Sequence, residues 1–136
     1  MGRTRPAAAR GGPVDEQTVE QVGLPLRVDV TRREHATLLT CTGEVDLATV
    51  SLLRTVMNDE VVEGRVDLVI DLRGVDFMDS SGLGALIGAH RKTRAFKGGL
   101  RLVVTTPALL RLLAITSLDR VLEICSTLEE AWPADG

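Results

Sequence analysis

Residues 66–91, VDLVIDLRGVDFMDSSGLGALIGAHR, decide how this chain is read. The opening VDLVIDL is a nearly unbroken apolar run, which suits a central parallel strand. That strand is predicted to end near Leu72. A loop carrying Asp76 and Asp79 follows, and Ser80 and Ser81 stand at the mouth of a helix predicted over about 81–95. Leu83, Leu86, Ile87 and His90 share one face of that helix at the 3–4 residue spacing. In open α/β sheets the loops at the carboxyl ends of parallel strands are where function collects.

The flanking sequence extends the same alternation. Upstream, Leu26, Val28 and Val30 alternate with polar residues, the signature of a half-exposed strand. Residues 36–42, ATLLTCT, predict a second strand ending at Gly43, with Arg32, Arg33, Glu34 and His35 as the hairpin turn between. After Gly43-Glu44-Val45-Asp46, residues Val50, Leu53, Met57 and Val61 recur at helical spacing, and Asp46 stands where an N-cap is wanted. Downstream, Gly98-Gly99 closes the helical unit and 100–104, LRLVV, predicts another strand. Thr106-Pro107 then gives a cap followed by proline at the first helical position. Leu109, Leu110 and Leu113 are expected to face inward. Residues 121–125, VLEIC, predict a last strand, and Ser126-Thr127 with Glu129 and Glu130 offers a capping box.

The predicted order is β-β-α-β-α-β-α-β-α. It implies an α/β fold with a mixed, mostly parallel sheet of about five strands, about four helices and right-handed crossovers. The 136 residues suit one domain, placed at 25–136. Residues 1–24 are rich in Gly, Pro, Arg and Ala without sustained periodicity, and are expected to be a disordered tail.

Composition narrows the function. The net charge of -3 offers no basic field for a phosphate backbone, and 2% aromatic residues offer no base-stacking platform, so nucleic acid is not an expected partner. A mildly acidic domain suits a protein partner. No apolar run approaches the roughly 18–20 residues that span a bilayer, no apolar stretch follows the N-terminal arginines, and Pro6 disrupts a myristoylation motif. No membrane contact is expected. Cys41 and Cys125 form no metal-ligand spacing, so no metal is expected and both read as reduced core thiols. No cofactor is indicated.

Ser80 has two readings on local chemistry. It is either a helix cap contributing about 1 kcal/mol, or, with Ser81 capping, an exposed hydroxyl where the helix tolerates added negative charge. Gly82, Gly84 and Gly88 each cost roughly 1 kcal/mol against Ala in a helix interior. That implies close approach of another backbone, or packing on the protein's own sheet. Enzyme readings fail. Gly82-x-Gly84-x-x-x-Gly88 is one residue longer than a dinucleotide fingerprint, no GKS or GKT follows, and no glycine stands two residues before either serine as a nucleophile elbow needs. His90 lies on the order of 15 Å from Ser80 along the helix, and His35 falls in the hairpin turn, so neither histidine serves as a base.

The residues Gly43-Glu44-Val45-Asp46, Asp71-Leu72, Val75 to Gly84 and Ser117-Leu118-Asp119-Arg120-Val121 carry a resemblance. From about 25 to 133 the chain resembles the STAS domain, in particular the single-domain anti-sigma factor antagonists of bacteria. The resemblance implies a cytoplasmic binding protein of transcription regulation in stress response or sporulation, not an enzyme, with a monomer as the default. In that family the first serine of the pair, here Ser80 rather than Ser81, is phosphorylated by the anti-sigma factor, itself a serine kinase. The unphosphorylated antagonist binds that kinase and frees a sigma factor, and a serine phosphatase resets the switch. Asp46 and Asp79 match acidic family positions beside the phosphorylation loop and at the partner surface, and Ser81, Gly82, Leu83 and Gly84 complete the implied partner-binding set. The alternative is a STAS regulatory module of another assembly, such as a stress-signalling complex or a transporter subunit. The family usually places glycine where Ser117 stands, so Ser117 must accept a left-handed conformation or end its helix differently.

Overall fold

A computed structural model describes residues 15–134. Its elements run β1 (Asp15–Glu20), β2 (Leu26–Arg32), β3 (Ala36–Val45), α1 (Val50–Val62), β4 (Asp67–Met78), α2 (Ser80–Ala95), β5 (Gly99–Val103), α3 (Pro107–Ile115), a 3₁₀ turn (Leu118–Arg120), β6 (Glu123–Cys125) and α4 (Leu128–Ala131). The strands form one sheet in chain order, β1-β2-β3-β4-β5-β6. β1, β2 and β3 are antiparallel neighbours, and β3, β4, β5 and β6 are parallel ones. The α/β class and the mixed sheet stand as expected, with six strands in place of about five.

The sixth strand is β1, inside the segment expected to be a tail. The part of that expectation over 1–14 lies outside the described residues, but 15–20 pairs along its whole length with β2. Strand alternation does not reveal β1, because its inward positions are Gln17 and Val19 and only the second is apolar. Gln17 is buried because Arg32 is. Arg32 ends β2 instead of belonging to the hairpin turn, and its Nη2 donates to Gln17 Oε1 at 2.6 Å. Its Nη1 lies 3.1 Å from Asp15 Oδ2, and its Nε donates to both oxygens of Glu60 on α1 at 3.1 and 3.0 Å. Thr37 Oγ1 and Arg65 Nε also donate to Glu60 Oε1, at 2.7 and 2.6 Å. Burial pushes the Glu60 carboxyl up, but the donors from Arg65, Thr37 and Arg32 outweigh it and hold it below its ordinary value.

The main core lies on one face of the sheet. Val28, Leu39, Ile70 and Leu102 from the strands meet Leu53 and Met57 of α1, Leu83 and Leu86 of α2, and Leu109 and Leu113 of α3. The residues of opposite parity, Leu38, Val69 and Val103, form a thinner layer with Cys125 and Ala131 on the other face, under α4. Both cysteines are free and buried, and burial, with Asp71 and Asp29 nearby, pushes the Cys41 thiol up to about 12. α4 carries the expected capping box, with Thr127 and Glu130 as reciprocal partners.

β4 runs six residues past its predicted end. Against β3 it carries two irregularities, between the pairs at Thr40 and Thr42 and between those at Gly43 and Glu44. Each places an extra residue on β4, and Asp76 is the second. The bulge reverses the alternation, so Val75 and Met78 face inward while Asp76 and Phe77 face out. The predicted loop is therefore the bulged end of a strand.

Candidate functional site

β3 and β4 finish side by side, with Glu44 opposite Phe77 and Val45 opposite Met78. Asp46 begins the turn into α1, and Asp79 begins α2. The Asp79 amide donates to Val45 O at 3.1 Å, which fixes the start of α2 against the end of β3. Gly43, two residues before Val45, has φ +116°, and a Cβ there would lie 2.1 Å from Pro25 O, so only glycine serves.

The cap of α2 is Asp79, not a serine. Its backbone is extended and its Oδ1 accepts from Ser81 N at 2.8 Å. Gly82 N and Leu83 N donate to Asp79 O at 3.0 and 3.3 Å. Neither serine is needed for capping. Ser80 is the first residue of the helix and is exposed, and its hydroxyl makes no hydrogen bond among the described residues. Ser81 is half-buried.

Asp46 likewise closes a turn. Its Oδ1 accepts from Ala48 N at 2.9 Å and Thr49 N at 3.1 Å. The N-cap position of α1 falls on Thr49, which is fully buried and whose Oγ1 donates to Glu44 O at 2.8 Å. Asp46 therefore stands three residues before the cap it was expected to be.

The structure brings Asp46, Asp79, Ser80 and Ser81 to one end of the sheet. Two other expected partner-binding residues turn inward. Leu83 is buried in the core, and Gly82 is buried where a Cβ would meet Met78 Cγ at 2.6 Å and Val45 Cγ1 at 2.9 Å. Gly82 is thus explained by packing on this protein's own strands. Gly84 and Gly88 are not: both are exposed, Gly88 has nothing within 4 Å of a would-be Cβ, and Gly84 has only Arg54 Nη2 at 3.8 Å.

Three residues at this end, Leu47, Phe77 and Glu44, were missing from the expected site. Leu47, 80% exposed, and Phe77, 52% exposed, are large apolar side chains in water at the ends of β3 and β4. Glu44 and Asp76 are exposed beside them. The signal for Leu47 was its place directly after Gly43-Glu44-Val45-Asp46. Phe77 gave none, because simple alternation pairs it with buried Val75.

The STAS domain family model matches residues 27–131, most of the chain. The chain belongs to the STAS domain family. It is 32% identical over 104 residues to the anti-sigma-B factor antagonist of Bacillus subtilis, covering 76% of this chain and 94% of that protein. It is 31% identical over 110 residues to an anti-sigma-F factor antagonist of Mycobacterium tuberculosis, covering 79% and 88%. The crystal structure of an anti-sigma factor antagonist from Mycobacterium paratuberculosis superposes with a TM-score of 0.70 at 27% identity, over 80% of this chain and 92% of that one. These STAS relatives are named for antagonism of another protein rather than for a reaction. Among the described residues no helix is long and apolar enough to cross a membrane.

Proposed function

We propose that this STAS domain is an anti-sigma factor antagonist switched by phosphorylation of Ser80. The observation that carries the reading is the exposed Ser80 hydroxyl at the first position of α2, released from capping by Asp79. The unmodified chain binds an anti-sigma factor that is a serine kinase, in the cytoplasm, and so releases a sigma factor of a stress-response or sporulation programme. Leu47 and Phe77 supply apolar contact, while Glu44, Asp46, Asp76 and Asp79 make the surrounding surface acidic. In the switching step the γ-phosphoryl group of ATP passes to Ser80 Oγ, ADP leaves, and the hydroxyl proton departs to a base on the kinase. A serine phosphatase hydrolyses the ester with water and restores the hydroxyl.

Phosphate adds about -1.5 to -2 charges next to those carboxylates. Like charges forced together at an interface cost several kcal/mol, and about 3 kcal/mol weakens docking roughly a hundredfold. The chain acts as a monomer in this scheme. Incubation with ATP and the anti-sigma factor kinase, followed by mass spectrometry and affinity measurement, tests it. Phosphate is expected on Ser80, with Ser80→Ala retaining docking and Ser80→Asp losing it. Docking indifferent to both substitutions would instead indicate a STAS module of another assembly.

A further inference from the structure

The first turn of α2 has little left to offer a phosphate. The amide of Ser81 is taken by the Asp79 side chain, and those of Gly82 and Leu83 by the Asp79 carbonyl. The carboxylate of Asp79 itself adds repulsion. A phosphate on Ser80 would therefore gain from a side-chain cation, and the structure holds one nearby.

α1 and α2 lie side by side, and a groove of about 220 Å³ opens between them, lined by Arg54, Met57, Asn58, Gly84, Gly88 and Lys92 among others. No acidic residue lines it. Lys92 Nζ donates to Asn58 Oδ1. Arg54 has no ion pair or hydrogen bond among the described residues. Its guanidinium hangs over α2, with Nη2 3.8 Å from where a Cβ on Gly84 would lie. Ser80 and Gly84 are four residues apart on one helix, so their Cβ positions are about 5–6 Å from each other on the same face. Apart from Arg54 Nη2 itself, nothing among the described residues comes within 4 Å of where a Cβ on Gly84 would lie.

We propose that Arg54 is the intramolecular partner of phosphorylated Ser80, its guanidinium swinging one helical turn along α2 to hold the phosphate in a charge-assisted pair that bridges α1 and α2. The inference rests on the phosphorylation reading above and deepens it. The paired phosphate lies down along the α1–α2 groove instead of extending into solvent. Arg54 is at the same time withdrawn from the surface that the unmodified protein presents. The guanidinium fork suits two phosphate oxygens, which an ammonium does not match.

The experiment uses the full chain with phosphoserine incorporated at position 80 during translation, so that no kinase is needed. Phosphorus NMR follows the second phosphate proton. The wild-type phosphate is expected to titrate about half a unit or more below that of Arg54→Gln, because a nearby cation favours the dianion, with Arg54→Lys between the two. A second readout needs no variant: in the wild-type protein the Arg54 Nε–H resonance is expected to move with the phosphate titration. Coincident titrations of wild type and Arg54→Gln, or an Arg54 resonance that ignores the phosphate, overturn the pairing. The switch itself is measured separately, by the affinity of the plain and phosphorylated wild-type chains for the anti-sigma factor. Equal affinities would overturn the switch alone, because the titration reads the Arg54 pairing without any partner present.

Discussion

Where β3 begins, Glu60 is sealed from water and receives donors from Arg32, Thr37 and Arg65. Where β3 and β4 finish, Asp46 and Asp79 accept from backbone amides of their own turns, Asp46 also from the Thr49 hydroxyl, with no cation on either among the described residues, and Glu44 and Asp76 stand in solvent. The first arrangement uses a carboxylate to lock three strands and a helix together. The second leaves negative charge at a surface where, in the proposed switch, one added phosphate would change the balance. A switch that works by repulsion needs that separation. Were the acids around Ser80 bound up in ion pairs, a phosphate would meet compensated charge; were Glu60 in solvent, β1 and α1 would lose their common anchor.

The largest test of this contrast removes one of the two cations from the buried end. Arg32→Met takes from Glu60 one of its two arginine partners and from Gln17 its donor, and is expected to cost about 3 kcal/mol in urea unfolding. Asp76→Asn, at the exposed end, is expected to stay within about 0.5 kcal/mol. Equal costs would break the contrast. Acid sharpens it. The folded Glu60 carboxyl sits below its ordinary value of 4.5, so the unfolded chain takes up the proton first. The stability Glu60 contributes is therefore complete above the ordinary carboxylate range and is lost as the pH falls through the lowered folded value. Glu60→Gln is expected to be less stable at neutral pH and to lose that part of the acid dependence, measured as urea midpoints against pH.

The glycines of α2 give the next contrast, smaller and with opposite signs. Gly82→Ala drives a methyl into Met78 and the stiff side chain of Val45, and is expected to destabilise by about 1–3 kcal/mol, as overpacking does. Gly88→Ala meets nothing and is expected to stabilise by about 1 kcal/mol, the difference in helix propensity. Thermal unfolding of the two proteins checks the signs. A stabilising Gly82→Ala would mean that α2 is free to move away from the end of β3, and the fixed position of Ser80 would lose its support.

Much of this was legible in the chain. The apolar run before Asp71, the alternation of Leu26, Val28 and Val30, and the helical spacing of Val50, Leu53, Met57 and Val61 all depend on near-neighbour periodicity, and each yielded its element. Ser80 at the mouth of α2 was legible for the same reason, since a strand and a helix meet there. What escaped depends on partners distant in sequence. β1 is held by Gln17 and Asp15 bonding to Arg32, a polar pairing with no hydrophobic signature. The outward turn of Phe77 follows from a bulge that exists only against β3. Arg54 gains its place beside Gly84 from the packing of α1 on α2, which no spacing within either helix records.

Ser117 gives the smallest expected effect and tests the family pattern at a single backbone angle. The residue ends α3 and opens the 3₁₀ turn with φ 60° and ψ 17°, so serine takes the left-handed conformation instead of ending the helix another way. Its amide donates to Ala114 O at 3.1 Å and its carbonyl accepts from Arg120 N at 3.2 Å, which ties the angle to both neighbouring turns. A residue with a Cβ loses roughly 1–2 kcal/mol in that region, and glycine does not. The side chain is exposed and makes no hydrogen bond among the described residues, so Ser117→Gly removes strain without removing a contact. Glycine also loosens the unfolded chain, which takes back part of the gain. The net expectation is a stabilisation of about 0.5–1 kcal/mol, seen as a small rise in the thermal midpoint with docking to the anti-sigma factor unchanged. A fall in the midpoint would mean that the unfolded-chain term outweighs the relief, and that serine at this turn carries little strain.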